Sequence, residues 1–192
     1  MRTNPETLNH DLTFETYLRG FRFEFCTTWG LFSPKAIDEG SRLLIEHLEV
    51  GEQDACLDLG CGYGPIGLVM AKLAPKGTVM LIDKDFVAVE YAGKNALRNA
   101  LPNTEALLSN GFAQVPERLF DVIASNLPAK VGKELLALMM MQARDRLKPG
   151  GRCYVVTLSG LKPYIKRTFG EIFGNYEKIK QGKTHTVSLA VA

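Results

Sequence analysis

Ala55-Cys56-Leu57-Asp58-Leu59-Gly60-Cys61-Gly62-Tyr63-Gly64-Pro65-Ile66-Gly67 decides how the rest of this 192-residue chain is read. A short apolar run carries an acid and then breaks into glycines at 60, 62, 64 and 67. An apolar pattern at helical spacing, Ile66, Leu68, Val69, Met70 and Leu73, follows at once. Strand, tight turn and helix are the reading. Pro65 stands near the first helical position, where a missing N–H costs least. Glycines in the turn permit positive φ and let a ligand lie against bare backbone. The stretch predicts a nucleotide seat.

Two cofactor classes compete for that seat. Gly62, Gly64 and Gly67 satisfy G-x-G-x-x-G, and Asp83 lies about where a dinucleotide fold places its ribose-binding acid. Asp58 argues against a dinucleotide, because a carboxylate beside the glycines would repel a pyrophosphate. S-adenosylmethionine carries no phosphate and bears positive charge at its amino end and its sulfur. An acid next to the turn suits that ligand, directly or through a water.

Working outward, strands and helices alternate from residue 54 onward. Strands are expected over 55–59, 78–82, 105–108, 120–125 and 152–158, with helices over 65–74, 86–100 and 131–147 between them. Continuous apolar strands in such alternation predict a Rossmann-like parallel sheet with helices on both faces. Lys148-Pro149-Gly150-Gly151 should stop the last of those helices and turn the chain into its next strand. A helix over 163–173 is followed by two strand patterns, 176–181 and 184–191, joined by Gly182-Lys183. So tight a connection makes them an antiparallel hairpin.

The front of the chain is less regular. Residues 1–20 read as a loosely structured lead-in, and 21–27 alternates aromatic with charged residues as a half-exposed strand. Ser33-Pro34 looks like a cap and first-turn proline for a helix over 35–48. The whole chain is expected to form one domain, with residues 1–20 leading in, 21–50 forming the front strand, loop and helix, and 54–192 the core.

Composition excludes some functions. With 46% hydrophobic and 23% charged residues, the chain has the make-up of a globular protein, and its apolar runs fall short of a membrane span. The first residues show no apolar signal core, so a cytoplasmic location is expected. The net charge of +2 neither requires nor forbids a nucleic-acid partner. Cys26, Cys56 and Cys153 lie in expected strands and read as reduced structural thiols, while Cys61 sits among the glycines without a base in sight. His10, His47 and His185 form no ligand pattern, and no metal is expected. Met139-Met140-Met141 lies in an apolar helix and reads as core.

These motifs together resemble class I S-adenosylmethionine-dependent methyltransferases. More narrowly, the chain is similar to the methyltransferase small domain found in enzymes that methylate guanine in small-subunit ribosomal RNA. The likeness covers roughly residues 20–192: the glycine stretch at 58–67, Leu147-Lys148-Pro149-Gly150-Gly151, and Gly30-Leu31-Phe32-Ser33 with Asp38, Gly40 and Leu43. It implies a seven-stranded sheet with an antiparallel last strand. Asp58, Gly60, Cys61, Gly62 and Gly64 would then surround the methionine and ribose, with Asp83 and Lys84 ending the second core strand. Asp83 would accept from both ribose hydroxyls. Asn110, Gly111 and Phe112 would meet the adenine, although Phe112 reads equally well as core.

Asn126-Leu127-Pro128-Ala129 stands where the resemblance implies Asn-Pro-Pro and an aromatic residue. Asn126 and the carbonyl of Leu127 would hold an exocyclic amine, and Asn126 would also border the cofactor. The missing proline and aromatic are departures, and Trp29 or Phe32 could supply the missing stacking face. Lys130 and Lys133, with Arg19, Arg22 and Lys35 at the rim, are candidates for RNA contact, and a second basic group lies at Lys162, Lys166, Arg167, Lys178, Lys180 and Lys183. The blander alternative makes Asn126 a cap for the helix near 131. The expected partner is RNA, ribosomal RNA in particular, and a homodimer is one way to add contacts. Other open readings are transfer to protein glutamine or a small amine, a cofactor-binding module without transfer, and a nicotinamide oxidoreductase.

Overall fold

The computed structural model describes residues 10–128 and 131–192. The chain opens with an antiparallel ribbon, β1 (Leu12–Leu18) and β2 (Phe21–Thr27), paired from Leu12↔Thr27 to Leu18↔Phe21. Residues 12–18 are therefore a strand rather than part of a loose lead-in. The stretch read as a loose lead-in belongs to a ribbon that packs against α-helices of the core. The first helix, α1 (Glu39–His47), also begins later than expected. Its cap is Asp38, whose carboxylate accepts from the Ser41 N–H, whereas Ser33 lies in the preceding loop at φ 49°.

The core then runs β3 (Ala55–Leu59), α2 (Pro65–Leu73), β4 (Thr78–Asp83), α3 (Phe86–Arg98) and β5 (Thr104–Leu108). It returns through β6 (Phe120–Asn126), α4 (Lys133–Asp145), β7 (Leu147–Leu158), α5 (Lys162–Phe173), β8 (Glu177–Gln181) and β9 (His185–Val191). The seven core strands lie in the order β5-β4-β3-β6-β7-β9-β8. Only β9 runs against its neighbours β7 and β8, so the Rossmann-like sheet with a C-terminal antiparallel hairpin is what forms. The turn expected at Lys148-Pro149-Gly150-Gly151 lies inside β7 as an irregularity: Phe120 pairs with Leu147 but Val122 with Arg152. Gly150 takes φ 76° there, and its N–H donates to the Ala192 carbonyl.

Period-two alternation divides the sheet's side chains between two cores. Cys56, Val79, Leu81, Val122 and Val156 pack with α1, α2, α3 and the ribbon on one face. Leu57, Met80, Ile82, Ile123 and Val155 pack with α4 and α5 on the other. Strand order reverses between β3 and β6, because the chain builds outward first to β5 and then to β7. In such sheets the crevice beyond the carboxyl ends at the reversal is where ligands bind.

Candidate functional site

A cleft of about 950 Å³ opens at that reversal. Its floor is the turn after β3. Gly60, Gly62 and Gly64 take φ values of 74°, 55° and 99° there. Gly60 and Cys61 both donate their N–H to the Ile82 carbonyl at 2.9 Å, which ties the turn to β4. A Cβ at Gly60 or Gly62 would meet nothing within 4 Å, so these two positions leave a bare-backbone floor under open space. Asp83, at the end of β4, accepts from the Gly62 N–H at 2.9 Å and the Asp85 N–H at 3.0 Å, one through each carboxylate oxygen. Each oxygen keeps acceptor capacity toward the cleft. Lys84, Asn110 and Gly111 continue the wall on this side.

Asp58 is placed differently from the expectation. It is fully buried beneath the turn and is not part of the cleft surface. One oxygen accepts from the Gly67 N–H at 2.7 Å, capping α2 from the strand below, and the other has no partner among the described residues. Burial pushes its pKa up to about 7, against the lowering effect of the Gly67 bond. The side chain that suggested a positively charged ligand therefore acts first as a helix cap.

Cys61 lines the cleft, but burial pushes its thiol well above the usual range, which leaves it a poor nucleophile. Phe112 is buried in the core beside α4 and outside the cleft lining, as the core alternative had it. Among the described residues no group of His, Cys, Asp and Glu could hold a metal ion, and no helix is long and apolar enough to cross a membrane.

The opposite wall is built by β6, the start of α1, and the β7–β9 edge. Asn126 ends β6, its pairing with Val156 continued by the Leu127 N–H to the Val156 carbonyl at 3.0 Å. Its side-chain nitrogen donates to Asp38 Oδ2 and to Ser41 Oγ, each at 2.9 Å. A carboxylate only accepts, so the amide can face Asp38 only through its NH2. Both amide protons are spent on α1, and Asn126 Oδ1 is left as an acceptor at the cleft. Asn126 does not cap α4, whose N-cap is Gly132.

Phe32 stands 68% exposed on the loop before α1 and lines the cleft. The Tyr63 hydroxyl reaches the carbonyls of Ser33 and Ala36 at 3.3 and 3.2 Å and pins that loop to the glycine turn. Trp29 lies outside the cleft lining, under the Lys35 ammonium at 4.7 Å. Lys133 is also outside it, its ammonium over the Tyr164 ring and its carbonyl accepting from the Tyr164 hydroxyl at 2.5 Å. Lys130 falls outside the described residues. Arg19 is used up on the carbonyls of Ile45 and Leu48 at the end of α1, and Arg22 on Glu15. Pro128 and Leu127 line the cleft beside Asn126. Ser41 and His185 line it too, and no motif in the sequence pointed to either.

The cleft fits S-adenosylmethionine. A floor without Cβ atoms admits a ligand chain, and Asp83 offers two acceptor oxygens. Comparison with known proteins agrees. The methyltransferase small domain family matches residues 22–188. YbxB of Bacillus subtilis, an uncharacterized protein, is 35% identical over 154 residues, covering 79% of this chain and 77% of that one. The ribosomal RNA small subunit methyltransferase C of Hamiltonella defensa is 31% identical over 156 residues, 79% of this chain. The large subunit methyltransferase G of Streptomyces avermitilis is 30% identical over 167 residues, 84% of this chain. This chain spans only 45% and 43% of those two enzymes. Among solved structures, the T. thermophilus 16S rRNA N2 G1207 methyltransferase in complex with AdoMet and guanosine superposes with a TM-score of 0.85 at 29% identity, over 94% of this chain and 50% of that one. The chain belongs to the methyltransferase small domain family and is an S-adenosylmethionine-dependent methyltransferase.

Proposed function

We propose that the acceptor is the exocyclic amine of a guanine in RNA, ribosomal RNA being what the two curated methyltransferases are named for. The observation that carries this reading is the Asn126 side chain, both of whose N–H groups are held by Asp38 and Ser41. An amine conjugated with its ring is a weak nucleophile, since the lone pair is shared with the ring. Asn126 Oδ1 and the Leu127 carbonyl accept its two N–H bonds and leave the lone pair free to aim. Pro128 helps by confining the residue before it to extended backbone, even without a proline at 127. Positioning of this kind supplies most of the acceleration.

On the cofactor side, the turn at Gly60, Cys61, Gly62 and Gly64 would hold the methionine end. Asp83 and Lys84 would border the ribose, and Asn110 with Gly111 the adenine. Bound there, S-adenosylmethionine supplies an electrophilic methyl group on a sulfonium. Phe32 offers the stacking face that position 129 lacks, a contact typically worth about 1–3 kcal/mol per base.

The test is transfer of a tritiated methyl group to extracted ribosomal RNA, followed by nucleoside analysis. Wild-type protein should yield a methylated guanosine, and Asn126→Ala should lose about 10²-fold in rate. Equal incorporation by both proteins removes Asn126 from the mechanism, and a label on any other nucleoside removes guanine.

A further inference from the structure

His185 stands at the start of β9, paired with Leu158 of β7, and both line the cleft at the end away from Asp83. Its surroundings fix its protons. The Thr184 hydroxyl donates to Glu39 Oε2 at 3.0 Å and lies 2.7 Å from His185 Nδ1. A hydroxyl has one proton, and the carboxylate takes it, so Nδ1 must be the donor in the second bond. A neutral imidazole with Nδ1–H carries its lone pair on Nε2. That atom lies close to the Asn126 anchor: a Cβ at Gly40 would come 3.1 Å from His185 Nε2 and 3.0 Å from Asp38 Oδ2.

We propose that His185 Nε2 is a specificity-determining acceptor for a ring N–H adjacent to the amine held by Asn126. The inference rests on the guanine reading above and sharpens it. Guanine presents a ring N–H beside its amine, whereas adenine and cytosine present a bare ring nitrogen there. A lone pair at Nε2 meets the first with a hydrogen bond and the others with repulsion. Glu39 and Thr184 are positioning residues that hold the tautomer. Asp38, the cap of α1, and Glu39, its first residue, flank the imidazole, Lys183 stands two residues before it, and its β7 neighbour Leu158 carries no charge.

The experiment has two arms on the full chain saturated with S-adenosylhomocysteine. In the first, long-range proton–nitrogen NMR at pH 8 should show His185 with Nδ1 protonated and Nε2 bare. The reverse tautomer overturns the proposal. In the second, calorimetry compares guanosine with 2-aminopurine riboside, which keeps the amine but lacks the ring N–H and the neighbouring oxygen. At pH 8 guanosine should bind at least about tenfold tighter, the scale of one hydrogen bond against an unpaired buried acceptor. That ratio should shrink in His185→Ala, which removes the Nε2 acceptor. Thr184→Val, which leaves the ring in place, should shrink it partly. A ratio unchanged by both substitutions overturns the role of His185 and leaves the guanine reading standing. No binding of either nucleoside at millimolar concentration overturns both.

Discussion

Asp58 illustrates how much a single side chain's direction matters. From the sequence it is an acid beside glycines, and its charge argued for a cationic ligand. In the fold it points toward α2, spends one oxygen on Gly67 and lies fully buried, which raises its pKa to about 7. A carboxyl raised in the folded state holds a proton that the unfolded chain has already released. Its contribution to stability is therefore most favourable at acid pH and is lost as pH rises from about 4 to about 7. Asp58→Asn keeps an acceptor for Gly67 without that penalty. The variant's melting temperature relative to wild type should climb between pH 5 and pH 8, and a gap constant with pH would contradict the buried-acid account. The neighbouring glycine gives a second expectation. A Cβ at Gly67 would stand 2.6 Å from Leu81 Cδ2, a side chain wholly within the core. Gly67→Ala should lower stability in urea titration by about 1–3 kcal/mol despite alanine's better helix propensity. The third glycine of the motif was legible as a residue type, and its reason, close approach of helix to strand, is visible only in three dimensions.

The ribbon shows the same limit for elements. Its second strand has a free edge, and α3 completes it with side chains rather than backbone. Asn95 accepts from the Cys26 N–H at 2.7 Å and donates to the Cys26 and Tyr63 carbonyls, both at 2.9 Å. Asn99, one turn on, does the same for Glu24 N–H and carbonyl at 3.0 and 2.9 Å. Two asparagines thus imitate a neighbouring strand. Asn95→Ala leaves three buried backbone groups without partners and should cost about 2–4 kcal/mol in chemical denaturation, with faster amide exchange at Cys26. A loss below about 1 kcal/mol would mean that water replaces the amide. Core elements with continuous apolar strands were legible because periodicity and glycine punctuation agreed there. The strand at Leu12–Leu18 was not, since its residues alternate half-buried and exposed and carry no continuous apolar run, although its partner β2 follows at once. The start of α1 was missed for a related reason: Ser33-Pro34 imitates a cap, while the true one, Asp38, is followed by a glycine only two positions later.

At the scale of the whole molecule, a ligand that binds only the folded chain raises its stability by mass action. S-adenosylhomocysteine at 100 times its Kd should add about 2.7 kcal/mol. For a chain of 192 residues that corresponds to a melting shift of about 5–10 °C. NAD should give none, and a shift with NAD alone would return the cleft to the dinucleotide reading. The mostly parallel sheet and the closing hairpin were legible from alternation and turn chemistry, while the strand order was not. The glycine-turn side of the cleft followed from local motifs. Its far wall did not, because Asp38 and Asn126 lie 88 residues apart and His185 carries no pattern at all. One carboxylate has an added consequence there: Asp38 both starts α1 and holds the side-chain amide of Asn126, the group proposed to orient the acceptor amine. Winding of that helix and fixing of that amide then share one group. On that proposal a copy whose front end has yet to dock would lack the fixed amide, and methyl transfer would wait for the finished fold.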